Sequence, residues 1–286
     1  MENWFDAIAW IEQDDRMRDF RQEDMTVEAM THGMEAEVYK LSSRQQSAVL
    51  KLWNRHSRPD VGLQYQLLLM LHEQGLPVSR PLGWGRDPNG ASALLTTYDG
   101  TELTKVNTAT MTRLAHMLSS LHHMQAAPDL KLRLPANDDV NYFFPAIHEH
   151  PDLDRALRTV LMTTPVGHGH IIHGDFHIRN ILEQDGRFTV IDWTNARLGE
   201  AGYDYAWSLL LTRIYISECL ATSFRAAYLS AFPLPAEHLE GWEALACLRW
   251  VLLHRTGAVP ADDRIRARAR GILSGNAHLT GYKLEL

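Results

Sequence analysis

His173-Gly174-Asp175-Phe176-His177-Ile178-Arg179-Asn180, followed ten residues later by Val190-Ile191-Asp192-Trp193, sets two carboxylates and a carboxamide at the ends of short loops. Strand-like runs flank these groups. His170-Ile171-Ile172 leads in, Asn180-Ile181-Leu182 and Thr189-Val190-Ile191 follow, and Asp185-Gly186 supplies the turn between the last two. Asp175 and Asn180 lie five positions apart across one loop, and the hairpin returns Asp192 beside Asn180. Oxygen groups of this kind suit a hard cation such as Mg²⁺, and a carboxylate beside them suits the handling of a hydroxyl.

Upstream, the chain reads as strands around one helix. Residues 37–41 and 48–53 are short β-rich runs joined by the polar stretch 42–47, as in a hairpin. Residues 62–74 carry Leu and Met at helical spacing and stop at Gly75, with Pro77 just beyond. Residues 82–85 and 93–98 flank Asp87-Pro88-Asn89-Gly90, a tight-turn sequence, and form a second hairpin. After Asp99-Gly100 the pattern turns helical, with helices expected at 109–125, at 152–163 and from Asp204 to the end. The expected class is α+β: residues 1–98 as a small antiparallel-sheet lobe with one main helix, and 99–286 as a larger, mainly helical lobe.

The spacing His173-x-Asp175-x4-Asn180, with Ile191-Asp192-Trp193 after it, resembles the catalytic region of the aminoglycoside phosphotransferase and choline kinase family of small-molecule kinases. That family shares the bilobal architecture of protein kinases. The resemblance runs from near Gly33 to Tyr203-Asp204 and weakens over the C-terminal helices. It implies an ATP- and Mg²⁺-dependent phosphotransferase, with GTP an open alternative and a small-molecule hydroxyl as acceptor. In it, Asp175 orients or deprotonates the hydroxyl, His173 braces the loop, Asn180 and Asp192 bind Mg²⁺, and Asp192-Trp193 stands where protein kinases have Asp-Phe-Gly.

Further expectations follow from the same resemblance. Lys51, ending the second strand in Val49-Leu50-Lys51-Leu52, would bind the α- and β-phosphates. Gln64 falls where a helix glutamate would pair with that lysine, so either Gln64 makes a weaker, uncharged contact or Glu73 or another acid replaces it. A phosphate-covering loop would run through Gly33, Met34, Glu35 and Ala36, and adenine would meet the backbone around Thr96, Thr97 and Tyr98. Thr97 and Tyr98 read equally as packed strand residues. Asp204 is either a buttress of the catalytic loop or a helix N-cap. With Gln64 and a single-glycine loop, a nucleotide-binding regulatory module with little or no transfer activity is the alternative function.

Other features resolve toward ordinary roles. Gly83-x-Gly85-x4-Gly90 matches neither a dinucleotide fingerprint nor a P-loop. His168, His170, His173 and His177 invite a zinc or iron reading but lack a second group of soft ligands at metal spacing. Glu237, Glu240 and Glu243 recur at helical spacing, as a solvated face or a cation-binding wall; Trp207, Trp242 and Trp250 read as core or cleft. Arginines at alternate positions from Arg264 to Arg270 form a solvated helix face. A net charge of -7 argues against a nucleic-acid surface, 45% hydrophobic composition suffices for a core, and Cys219 and Cys247 offer no disulfide scaffold. No apolar run reaches the roughly 20 residues a bilayer needs. The expectation is a cytoplasmic protein, monomeric or homodimeric, with neither membrane nor nucleic-acid partners.

Overall fold

The computed structural model describes residues 5–17, 20, 25–30, 36–44, 46–53, 59–136 and 139–286. The chain divides into two compact units: the described part of residues 1–103 with 128–133 and 179–194, and residues 104–127, 134–178 and 195–286. The first is built on sheet and the second on helices, which is the α+β class expected.

In the sheet unit, β1 (Ala9–Gln13), β2 (Thr26–Ala29), β3 (Ala36–Ser42), β4 (Ser47–Trp53), β5 (Pro81–Arg86) and β6 (Ser92–Thr97) form a six-stranded antiparallel sheet in the order β1-β5-β6-β4-β3-β2. Alternation along the strands buries Leu41, Ala48, Leu50, Leu82, Ala93 and Leu95 with Phe5, Ile8, Met17 and Phe20. The hairpins β3–β4 and β5–β6 are those anticipated. Two strands of this sheet were not. β1 and β2 occupy the sheet edges, and every β2 residue is exposed, so neither carries an apolar alternation strong enough to read. Gly83 and Gly85 lie in β5 against β1, which accounts for that glycine-rich run as strand pairing.

The main helix of this unit, α1 (Val61–Glu73), starts where the Asp60 side chain accepts from Leu63 N at 2.8 Å. It ends in a Schellman motif: Gly75, at φ 85°, donates its N–H to His72 O, and Leu76 N–H donates to Leu71 O. An L side chain at Gly75 would be strained in that conformation, which is why the glycine marked the stop. β7 (Thr101–Glu102), β9 (Ile181–Gln184) and β10 (Arg187–Val190) make a three-stranded sheet in the same unit. Asp185 and Gly186 both have positive φ, the two-residue turn the sequence suggested.

In the helical unit, β8 (His170–Ile172) pairs with β11 (Arg197–Gly199). Around this ribbon lie α2 (Thr108–His123), α4 (Asp139–Phe143), α5 (Pro151–Leu161), α6 (Ala201–Tyr215), α7 (Glu218–Ala231), α8 (Ala236–Arg255) and α9 (Asp263–Gly275); the short α3 (Pro128–Arg133) belongs to the sheet unit. α6 is buried on nearly every face, as a helix with little amphipathic contrast must be, and packs against α7 and α8. Trp207, Trp242 and Trp250 are all buried. Of the arginines in α9, Arg264 and Arg270 are exposed, whereas Arg268 donates to the carbonyls of Ile214 and Ile216 at the end of α6, so the basic run is only partly a solvated face. No described helix is long and apolar enough to cross a membrane.

Arg255 at the end of α8 grips Asp152 at the start of α5 through two hydrogen bonds of 2.8 and 2.6 Å. That bidentate contact holds the Asp152 carboxyl down at about 2. A depressed carboxyl stabilises the fold above its ordinary range and loses the contribution as pH falls through its folded value. Arg255→Met is therefore expected to lower the thermal midpoint by roughly 1–3 °C at neutral pH. The gap from the parent protein should close between pH 4 and pH 2, as followed by circular dichroism melts.

Candidate active site

Asp204 organises the helical unit's polar centre. Glu200, not Asp204, caps α6, its side chain accepting from Gly202 N, so the N-cap reading of Asp204 gives way to the buttress. Asp204 sits inside the first turn, fully buried, and its two carboxylate oxygens accept the N–H groups of His173 at 2.8 Å and Gly174 at 2.9 Å. His122 Nε2, 3.2 Å away, completes the set. Since Nε2 faces a carboxylate it carries the imidazole proton, and the opposite nitrogen, Nδ1, accepts from the Tyr228 hydroxyl at 2.5 Å. Burial pushes His122 below its ordinary pKa despite the Asp204 charge. Burial works against charge on Asp204 too, yet His122 and the donors of His173 hold that carboxyl below its usual range.

The loop so held presents Asp175. Gly174 takes φ 77°, and a Cβ there would meet Asn195 O at 2.7 Å, so only glycine fits between His173 and Asp175. His173 is buried, and its Nδ1 accepts from Asp175 N at 3.2 Å. The Asp175 carboxylate is half-buried, with Trp207 Nε1 donating to Oδ1 at 2.7 Å and His177 Nε2 lying 3.4 Å from Oδ2. Burial again opposes the charge, but His177, the Arg249 guanidinium and the Trp207 N–H hold Asp175 far below the ordinary carboxylate range. Arg249, buried in α8, donates from Nη1 to Gly174 O at 2.8 Å.

Trp207 and Arg249 were not singled out from sequence for these roles. A tryptophan in a buried helix reads as core, and so it is; its donor direction is fixed only by tertiary packing. Arg249, the charged residue within 244–253, carried the one legible signal, since a cation in an apolar helix must find a partner.

The sheet unit contributes a cavity of about 430 Å³. Val49 and Lys51, two apart on β4, face it with Val38 of β3, and Leu94, Thr96, Thr97 and Tyr98 line it from β6 onward. Gln64 and Leu68, one turn apart on α1, form another wall, and Asn180 and Asp192 border the remainder with Arg179 and Glu102. Gln64 is thus the polar side chain of α1 that shares the cavity with Lys51. Glu73, nine residues later and exposed at the helix end, lies on the opposite side of α1 and roughly 13 Å along it. Asn180 is buried, whereas Asp192 is exposed with φ 64°, a left-handed conformation that Asp tolerates better than most residues, and accepts from Thr194 Oγ1 at 2.8 Å. Gly33, Met34 and Glu35 lie outside the described residues; Ala36 opens β3 opposite Trp53.

Thr97 N donates to Arg80 O and Tyr98 N to Ser47 O, while Thr97 Oγ1 donates to the Asp99 carboxylate and Lys40 lies 4.0 Å over the Tyr98 ring. The histidines are dispersed in role. His170 Nδ1 contacts His122 O, His173 braces its loop and His177 faces Asp175, and among the described residues no three His, Cys, Asp or Glu side chains gather as a metal site. The glutamate series also divides: Glu237 and Glu240 are exposed, whereas Glu243 is paired with Arg213 and Arg225.

The model of the phosphotransferase enzyme family matches residues 26–248. This chain belongs to that family. No curated protein matches the phosphotransferase's sequence. Among solved structures, it resembles a Ralstonia eutropha JMP134 protein assigned as an aminoglycoside phosphotransferase, with TM-score 0.68 and 14% identity over 95% of this chain and 100% of that one. A Haemophilus somnus protein assigned as a fructosamine-3-kinase gives TM-score 0.65 and 17% identity over 94% and 98%. An amicoumacin kinase bound to AMP-PNP, Ca²⁺ and amicoumacin gives 0.61 and 15% over 87% of each. At these identities the likeness shows the fold, which is the bilobal protein-kinase-like one.

Asp204→Asn preserves size but turns an N–H₂ group toward at least one N–H donor. It is expected to destabilise the phosphotransferase by about 1–3 kcal/mol in urea unfolding, because a buried donor loses its acceptor.

Proposed function

We propose that this phosphotransferase moves the γ-phosphate of ATP to a hydroxyl of a small molecule, of the aminoglycoside, amino-alcohol or sugar type. Residues 1–98 serve nucleotide binding, joined there by Asn180 and Asp192, and the rest of 99–286 serves catalysis and acceptor binding. The observation that carries the proposal is the cavity that collects Lys51, Asn180 and Asp192 from separate segments of the chain. Its size falls within the range of small-ligand pockets, about 300–1,000 Å³. Its polar set includes two cations suited to phosphate oxygens, Lys51 and Arg179, and the oxygen groups of Asn180 and Asp192, suited to a hard divalent cation, with Glu102 nearby. No His or Cys stands among its described lining residues, so the donor set fits Mg²⁺ rather than zinc.

In this reading Asn180 and Asp192 hold Mg²⁺ and Lys51 meets the α- and β-phosphates, with Gln64 as its uncharged neighbour. Bound Mg²⁺ would neutralise phosphate charge, which the protein side chains do only in part. The N–H groups of Thr97 and Tyr98 are committed within the sheet, so adenine recognition falls to other backbone groups of this segment, and Gly33 to Ala36 cover the phosphates. Asp175, ionised throughout the neutral range, first orients the acceptor hydroxyl by accepting its hydrogen bond. As the new P–O bond forms and the bond from the γ-phosphorus to the bridging oxygen breaks to release ADP, the hydroxyl proton passes to the carboxylate. A carboxylate held so low is a weak base, so orientation precedes and outweighs proton removal. His173 keeps the loop in place for this.

Asp175→Ala should lower turnover about 10²- to 10⁴-fold while sparing ATP binding. Asp192→Ala should instead abolish the Mg²⁺-dependent part of nucleotide affinity, measured by titration calorimetry with and without Mg²⁺. An ADP-release screen over aminoglycosides, amino sugars, amino alcohols, sugars and nucleosides, with Asp175→Ala as control, identifies the acceptor. ATP binding without Asp175-dependent ADP release from any acceptor would overturn transfer in favour of a regulatory module.

A further inference from the structure

Carboxylate torsions are soft, so a catalytic Asp whose side chain is meant to point one way needs a fixed donor. Trp207 Nε1 lies 2.7 Å from Asp175 Oδ1, and the indole that carries it is 2% exposed. The ring is clamped as well. The Arg249 guanidinium carbon sits 4.0 Å over it and 4.5 Å from the Phe143 ring, while Arg249 Nη1 holds the carbonyl of Gly174, the residue preceding Asp175. Asp175, Trp207, Arg249 and Gly174 therefore form a closed circuit of contacts that begins and ends on the same loop.

Core packing alone does not require this circuit. Trp242 and Trp250 satisfy their own N–H groups with neutral acceptors, Pro165 O and the Tyr215 hydroxyl. Trp207 spends its donor on a half-buried charge, at a hydrogen-bond length typical of charge-assisted pairs.

We propose that Trp207 is a positioning residue of the transfer step, its indole N–H fixing the Asp175 carboxylate in the orientation that receives the acceptor hydroxyl, with Arg249 locking the indole from behind. The inference rests on Asp175 being the hydroxyl-handling residue. Its consequence is a rate that depends on one N–H group, separately from the bulk of the ring around it. His177, on the other carboxylate oxygen, lies at a longer 3.4 Å, so it restrains the carboxylate less.

The test compares Trp207→Phe with replacement of Trp207 by 3-benzothienylalanine, which keeps the fused ring and puts sulfur where the N–H was. Both are expected to lower kcat about 10- to 100-fold, the worth of one hydrogen bond to a charged group. KM for ATP and the thermal midpoint of the benzothienyl protein should stay at parent values. In an Asp175→Ala background neither replacement should lower kcat further, because the indole acts through that carboxylate. Should Trp207→Phe fail to fold, the benzothienyl protein decides the matter alone. Parent-level kcat in the benzothienyl protein, or an undiminished loss in the Asp175→Ala background, would overturn the role of Trp207. Parent-level turnover of Asp175→Ala by itself would instead overturn the assignment of Asp175, so the two failures are distinct.

Discussion

A carboxylate with no access to water must collect hydrogen-bond donors or lose its charge, and Asp204 collects three. Two are backbone N–H groups of consecutive residues, His173 and Gly174, which can converge on one carboxylate only if the loop turns sharply between them. The sharp turn is what demands positive φ at Gly174, and the close approach of Asn195 is what forbids a side chain there. The third donor, His122, is kept in the right tautomer by Tyr228, so the network reaches from α6 through α2 to α7. Asp175 follows directly on this anchored turn and inherits its fixed position.

The electrostatics of Asp175 come from the same packing. Its loop is held from behind by Arg249 through Gly174 O, and the same guanidinium lies on the face of Trp207, whose N–H reaches the carboxylate. Positive charge, an N–H donor and His177 outweigh the burial that would otherwise favour protonation. The result is a carboxyl held well below its ordinary range and ionised at neutral pH.

The sheet unit solves a different problem, bringing residues from distant parts of the chain to one cavity. Strand alternation puts Val49 and Lys51 on the same face, helical spacing adds Gln64 and Leu68, and the tight turn at Asp185-Gly186 returns the chain from Asn180 to Asp192. Each of these placements uses a local rule. Gln64 in place of an acid leaves Lys51 without a charged partner from α1, since Glu73 faces away from the cavity.

Those local rules explain what could be read from the amino acids alone. The hairpins, the stop of α1 at Gly75, the turn before β10 and the spacing of Asp175, Asn180 and Asp192 all depend on neighbours within a few residues, so sequence was enough for them and for the fold class. The edge strands β1 and β2 escaped because strands with little burial have little apolar period to show. Asp204 as buttress rather than cap, the separation of Glu243 from Glu237 and Glu240, and the service of Trp207 and Arg249 to Asp175 were decided only by tertiary structure. Each depends on which donor or opposite charge arrives from an element 18 to 82 residues away, as in Arg225 to Glu243 and His122 to Asp204, and periodicity carries no record of that meeting.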